Sequence, residues 1–297
     1  MRGMRLARFR IGDLLTYGIV EGEFVVTREM IEEALGIGLP PFFSDFVERF
    51  TAERDFRERV TSVKDRLPRV LRLSQVKLLA PSDNKPKIVC VGLNYRDHAE
   101  ESKAKIPDEP IIFMKPHTAL NGPYDPIEYP SIVTQLDYEA ELAVVMGQRC
   151  RGVRPEEAYE YVCGYAAFND ISARNLQFKD GQWTRGKSFD TFAPTGPWIV
   201  TRDEIPDPHV LRIMSRVNGE TRQDSNTGNM IFKVDTLISF ISTVMTLEPC
   251  DIIATGTPAG VGIFAKPEPR LLKVGDVVEI EVERIGSIRN PVVRGSV

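Results

Sequence analysis

Histidine, tryptophan and cysteine are scarce in this chain of 297 residues, at three, two and four. The cysteines (Cys90, Cys150, Cys163 and Cys250) are scattered, with no CxxC and no pairing implied by their spacing. Cys90 in "KIVCVGL" and Cys163 in "YVCGY" read as small buried hydrophobes, so a reduced, cytoplasmic setting is the expectation. No apolar run approaches the roughly 20 residues that span a bilayer. "MRGMRLARFRIGD" has positive charge but no apolar segment after it, which argues against a secretory signal. Acids at Asp13, Glu21 and Glu23 argue against a transit peptide. An excess of positive charge is also missing: 38 basic residues against 42 acidic ones give a net charge of −4. That balance speaks against a nucleic-acid footprint or a polybasic membrane surface. Low-complexity tracts and internal repeats are absent, and 42% hydrophobic and 27% charged residues are ordinary for a globular protein.

What is present divides near residue 80. "RIGDLLTYGIVEGEFVV" predicts a hairpin turned at Glu21–Gly22–Glu23. "PPFFSDFVERFTAERDFRERVTSVKDRL" carries Phe42, Phe43, Phe46, Val47 and Phe50 at helical spacing. An amphipathic helix packed on its own domain accounts for that pattern better than a partner-binding helix. The Pro- and polar-rich "LAPSDNKPK" (79–87) reads as a linker, giving a small N-terminal domain (1–80) and a larger second domain (81–297). Beyond the linker, short β-rich runs such as "PIIFMK", "LAVVMG", "PWIV" and "DIIATG" dominate. Helical stretches ("RPEEAYEYV", "KVDTLISFISTVMT") do not alternate strictly with them. The texture predicts a mixed α+β fold with a mixed-sheet or barrel-like core and flanking helices, not a doubly wound parallel sheet.

"QLDYEAELAVV" (135–145) places Asp137, Glu139 and Glu141 at alternate positions. On a strand these share a face about 7 Å apart, and the run then turns wholly apolar. "VVEIEVERI" is an internal control, with Glu279, Glu281 and Glu283 on one face and apolar residues on the other, the pattern of a solvated face. Acids that enter a region apolar on both faces must instead be protonated, paired or bound to a cation. Lys and Arg are absent between residues 118 and 148, so a partner nearby in sequence is missing. Mg²⁺ or Mn²⁺ would suit carboxylate oxygens. From this strand alone a metal site and a solvated face both stand open.

Other segments add candidates. In "YVCGYAAFNDISARNLQ", Asp170, Arg174 and Gln177 fall at i, i+4 and i+7, one face if the segment is helical. That triplet can join a metal to an anionic substrate, or be an ordinary surface ion pair. "VGLNYRDHAEES" predicts a strand-to-helix turn capped by Asp97 or Asn94, with His98 and Glu101 at i, i+3 as a general-base arrangement; a structural histidine is the plainer alternative. His117 and His209 lack even this support. Lys187 in "WTRGKSFDTFAPTGP" is a candidate electrophilic cation. "ATGTPAGVG", with Gly256, Thr257, Gly260 and Gly262, is either an anion-binding loop or a tight turn, and no Walker lysine follows it.

Taken in order, "GLNYRDHAEE", "LDYEAELAVVMG", "GYAAFNDISARNLQ", "GQWTRGKSFDTFAPTGPWIV", "VNGETRQ" and "DIIATGTPAGVG" closely resemble the fumarylacetoacetate hydrolase family. That family includes acylpyruvate hydrolases, oxaloacetate decarboxylases and hydroxyheptadienedioate isomerases. The resemblance runs from about Lys87 to Pro291, with the first eighty residues like the variable N-terminal domain of some members. It implies a β-roll core, a homodimer, and Mg²⁺ or Mn²⁺ held by Glu139, Glu141 and Asp170. It further implies His98 and Glu101 as a base dyad on a mobile lid and Lys187 as the stabiliser of negative charge. Arg174, Gln177, Gly256 and Thr257 would hold the carboxylate of a small 2-oxo acid. Asp137 has no ligand role in the family pattern. His117, in "KPHTALNGP", stands where members often carry a small polar residue, which implies altered lid contacts. The activity expected first is C–C bond hydrolysis of an acylpyruvate. Decarboxylation and isomerisation are alternatives on the same site, and a keto-acid-binding protein without catalysis is the alternative of another class.

Overall fold

A computed structural model gives the fold and describes residues 3–63 and 69–295. The predicted hairpin at Glu21–Gly22–Glu23 is present, and a second two-residue turn at Gly12–Asp13 adds a strand before it. The result is an antiparallel meander of Arg5–Ile11, Leu14–Glu21 and Phe24–Thr27. The predicted Phe-rich helix is two helices, Phe43–Ala52 and Arg54–Val63, separated at Glu53, whose backbone is extended. Residues 64–67 of that prediction lie outside the described residues. Phe43, Phe46, Val47 and Phe50 are buried as their spacing requires, whereas Phe42 precedes the first turn and is exposed.

Arg5–Ile11 pairs antiparallel with Ala193–Thr201, so the first eighty residues extend the sheet that carries the rest of the chain. That sheet has twelve strands. Its central order runs Ala193–Thr201, Val162–Asn169, Ala140–Met146, Ile252–Ala254, Ile88–Gly92 and Ile111–Lys115. Neighbours in this row are antiparallel except Ile252–Ala254 beside Ile88–Gly92. The 79–87 stretch is pinned rather than free. Asp83 accepts the backbone N–H groups of Phe43 and Ser44, which caps that helix.

A second, five-stranded sheet contains Glu220–Asn226, Arg212–Val217, Val277–Val282, Gly286–Arg294 and Ile127–Tyr129. The five-stranded sheet is an open row and the twelve-stranded one an open row with Lys77–Leu79 and Leu120–Asn121 as side branches, and among the described residues no strand closes either into a barrel. The fold is therefore mixed α/β with large mixed sheets and no closed barrel among the described residues. Closure requires the two end strands to pair, and here the long sheet ends on unrelated edges.

Ala140–Met146 shows why its sequence is apolar throughout. Leu142, Val144 and Met146 enter the core between the two sheets, with Ile213, Val278 and Ile280. Ala143 and Val145 face the opposite layer, with Phe43, Phe46 and Val47. A strand buried on both faces cannot alternate. Val277–Val282 does alternate, and its half-buried Glu279 and Glu281 both pair with Arg216.

Candidate active site

Four chain segments deliver side chains to one end of Ala140–Met146. Ala140 pairs with Asn169, which brings Asp170 beside Glu139, and the Asp170 N–H donates to the Glu139 carbonyl at 3.0 Å. Ala254 pairs with Ala143, which sets Gly256 and Thr257 beside Glu141. Ile88–Gly92 leads into the His98 helix, and Ile111–Lys115 ends at a buried lysine.

Glu139, Glu141 and Asp170 are all buried, and an oxygen from each lies within 4.8 Å of the others. Asp137 does not join them. The strand is interrupted at Tyr138–Glu139, so the predicted column of three breaks. Asp137 turns away and accepts the N–H groups of Gly262 at 2.8 Å and Ile263 at 3.0 Å.

The counter-charges come from outside the 118–148 window. Lys187 Nζ lies 2.8 Å from Glu139 Oε2 and 2.7 Å from Asp170 Oδ2. Arg174 bridges Glu139 Oε1 at 2.7 Å and Asp137 Oδ2 at 2.9 Å. Lys115, which the sequence analysis missed, is fully buried and donates to Asp170 Oδ1 and to the Ile171 carbonyl. Its only signal in the sequence was a single lysine closing the apolar run "IIFMK". Four buried acids thus face three cations, and Glu141 is the acid left without an ion-pair partner. One Glu141 oxygen accepts the Gly256 N–H at 2.8 Å. Burial raises both glutamates. Lys187 and Arg174 outweigh it at Glu139, holding that carboxyl at about 2, whereas repulsion from Asp170 and Glu139 adds to it at Glu141, which lies well above the usual range.

Three converging carboxylates with one uncompensated charge are a hard-oxygen donor set, and they fit a divalent cation.

The predicted Asp170–Arg174–Gln177 face is corrected. The helix is Arg174–Asp180, so Asp170 sits in the loop before it, and only Arg174 and Gln177 share a turn, joined by a 3.0 Å hydrogen bond. The predicted cap is also corrected. Tyr95 occupies the cap position of Arg96–Ser102 with no side-chain hydrogen bond, while Asn94 bonds Phe232 and Thr255. On that helix His98 Nδ1 lies 3.4 Å from Glu101 Oε2.

The glycine-rich loop binds anions, but they are the protein's own. Gly256, Gly260 and Gly262 donate N–H groups to Glu141, Glu101 and Asp137 respectively. Gly256 has φ +98°, and a Cβ there would lie 2.8 Å from Asn94 Cβ, so only glycine fits. The Thr257 hydroxyl donates to the Ala140 carbonyl at 2.9 Å.

A cavity of ≈190 Å³ lies at this junction. His98, Glu139, Glu141, Arg174, Gln177, Lys187 and Thr257 line it together with Phe113, Trp183 and Phe264. His117 is exposed and does not line it. His209 is engaged with Asp207 and the Val234 N–H. All four cysteines are free and buried. No described helix is long and apolar enough to cross a membrane.

Residues 87–293 match the family model described as fumarylacetoacetate (FAA) hydrolase C-terminal. The mitochondrial oxaloacetate tautomerase Fahd2a of Rattus norvegicus is 43% identical over 299 residues of alignment, covering 98% of this chain and 92% of the relative. The maleylpyruvate hydrolase of Sphingobium sp. SYK-6, solved in complex with manganese(II) and pyruvate, is similar at a TM-score of 0.80 and 32% identity, covering 99% and 100% of the two chains. The 2-hydroxyhepta-2,4-diene-1,7-dioate isomerase of Mycobacterium marinum is similar at 0.75 and 38%, covering 99% and 100%. With its family match spanning most of its length and a full-length relative at this identity, the chain belongs to the fumarylacetoacetate hydrolase family.

Proposed function

We propose that this protein is a divalent-metal-dependent enzyme that moves a proton at the carbon next to the ketone of a small 2-oxo acid, interconverting keto and enol forms of an oxaloacetate-type substrate. The observation that carries the reading is that His98, paired with Glu101, lines the same small cavity as Glu139 and Glu141, two of the three converging buried carboxylates. The full-length likeness to oxaloacetate tautomerases supports proton transfer as the reaction.

In this reading Glu139, Glu141 and Asp170 hold Mg²⁺ or Mn²⁺, which supplies Lewis acidity at the 2-oxo group. Glu101 accepts from His98 Nδ1, which leaves the His98 Nε2 lone pair to take the proton from carbon and return it. Lys187 has three N–H donors, two of which are engaged on Glu139 and Asp170, and the third meets the oxygen on which negative charge develops. Arg174 and Gln177 orient the substrate carboxylate, with Thr257 beside them. Phe113, Trp183 and Phe264 keep bulk water from the enol. A homodimer in a cytoplasmic setting belongs to the same proposal.

A second reading, hydrolysis of an acylpyruvate, is favoured by the aromatic side chains Phe113, Trp183 and Phe264 in the cavity lining, which suit an acyl tail, and by the likeness to a maleylpyruvate hydrolase. His98 would then deprotonate water that attacks the distal carbonyl, and the C–C bond breaks to release pyruvate in its enol form. The test is turnover of enol-oxaloacetate and of acetylpyruvate by Mg²⁺-loaded protein, followed by ultraviolet absorbance. Faster loss of enol without pyruvate release supports the first reading, and pyruvate release from acetylpyruvate supports the second. Binding of pyruvate with neither reaction leaves a keto-acid-binding protein and ends both.

A further inference from the structure

The helix that carries His98 is fastened at both ends. In its first turn, Asp97 Oδ2 accepts from Ser225 Oγ at 2.6 Å, on the outer strand of the second sheet. In its last turn, Glu101 Oε1 accepts the Gly260 N–H at 3.0 Å while Oε2 faces His98 Nδ1. Gly260 is therefore what sets the carboxylate that sets the imidazole.

Gly260 is itself held from the other side. Its carbonyl accepts the Tyr138 hydroxyl at 3.1 Å. Tyr138 is 1% exposed and lies in sequence between Asp137 and Glu139. The two peptide groups joined at Gly260 are thus each held by a hydrogen bond, one to Glu101 and one to Tyr138. The φ of Gly260 is +101°, and a Cβ would lie 2.3 Å from the Arg222 carbonyl oxygen. A continuous chain of hydrogen bonds thus runs from the strand end bearing Glu139 to the face of His98: Tyr138 to Gly260, Gly260 to Glu101, Glu101 to His98.

We infer that Tyr138 is a positioning residue, which through Gly260 fixes the Glu101 carboxylate and so selects the tautomer of His98 that carries its proton on Nδ1. This rests on the reading of His98 as the base, and it adds that the base is registered to the carboxylate group rather than to its own helix alone. Rotation of an isolated Glu101 would leave either ring nitrogen protonated, and only one tautomer presents a free Nε2.

The test is Tyr138→Phe in the full chain, which keeps the ring and removes one hydroxyl. With only three histidines in the chain, imidazole ¹⁵N signals of the Mg²⁺-loaded protein resolve His98 from His117 and His209. The wild type is expected to show one His98 tautomer and the variant a mixture, while kcat for the enol substrate falls about tenfold and KM changes less than twofold. Tyr138→Met, which keeps buried apolar bulk and also lacks the hydroxyl, should give the same imidazole signature if Tyr138→Phe folds poorly. An unchanged His98 tautomer in the folded variant overturns the inference. Should His98→Ala retain full turnover while Tyr138→Phe still mixes the tautomers, the base reading fails and the positioning role stands.

Discussion

Glu139 and Glu141 are two residues apart, and their surroundings treat them oppositely. Glu139 touches Lys187 and Arg174, whereas Glu141 meets no cation and takes one backbone N–H from Gly256. The first carboxyl is held at about 2 by those cations against the effect of burial, and burial with two acidic neighbours lifts the second well above the usual range. In the metal-free protein the cluster can relieve its surplus charge only by protonating Glu141.

Glu141→Gln should therefore act with opposite sign in the two states. The amide keeps an oxygen for the Gly256 N–H and removes the cost of protonating a buried carboxyl on folding, so metal-free protein should gain about 1 kcal/mol. The stabilisation that excess Mg²⁺ gives the wild type should vanish. Thermal unfolding with chelator and with Mg²⁺ measures both, and a variant less stable in chelator would contradict the charge count.

Metal binding should release close to one proton below the raised pKa of Glu141, because that side chain binds the ion only in its deprotonated form. Affinity should then rise up to tenfold per pH unit and level off above that pKa. Calorimetry in two buffers of different ionisation enthalpy reads the proton directly. Affinity independent of pH from weakly acidic to neutral solution would exclude Glu141 as a ligand.

Arg174→Met strips Asp137 and Glu139 of their shared guanidinium and should cost about 3–5 kcal/mol, because buried charges remain without a partner. Glu139 has a folded pKa of about 2 against an ordinary 4.5, so its contribution is complete above about 4.5 and is lost as pH falls toward 2. Losing Arg174 raises the folded value, so the acid unfolding midpoint should move to higher pH. Arg216→Ala, which breaks the half-exposed pairs with Glu279 and Glu281, should cost at most about 1 kcal/mol. Equal losses in urea unfolding would refute the distinction between these two sets of acids.

His98→Ala should lower turnover by about 10²–10⁴-fold while Mg²⁺ affinity stays near that of the wild type. Steady-state kinetics beside calorimetry checks this, and retained turnover would remove His98 from the chemistry.

The burial signal after Glu141 was legible because side-chain alternation is local: an apolar run following alternate acids already states that charge approaches a core. The likeness across "GLNYRDHAEE" and "LDYEAELAVVMG" pointed to the same acids and to His98. Not legible were the backbone courses that place Asp137 and Asp170. A two-residue interruption at Tyr138–Glu139 turns the first away, and a helix that begins only at Arg174 leaves the second in a loop.

By itself, then, the sequence determined which side chains are acidic, which runs are buried and where a carboxylate must find compensation, since these follow from residue type and period along a few neighbouring positions. Only the tertiary structure decided which charge answers which. Lys115, Arg174, Lys187 and Gly260 reach the acids across strand pairings and loops dozens of residues distant in sequence, and Coulomb and hydrogen-bond energies depend on separation in space, which the chain sets only once it has folded.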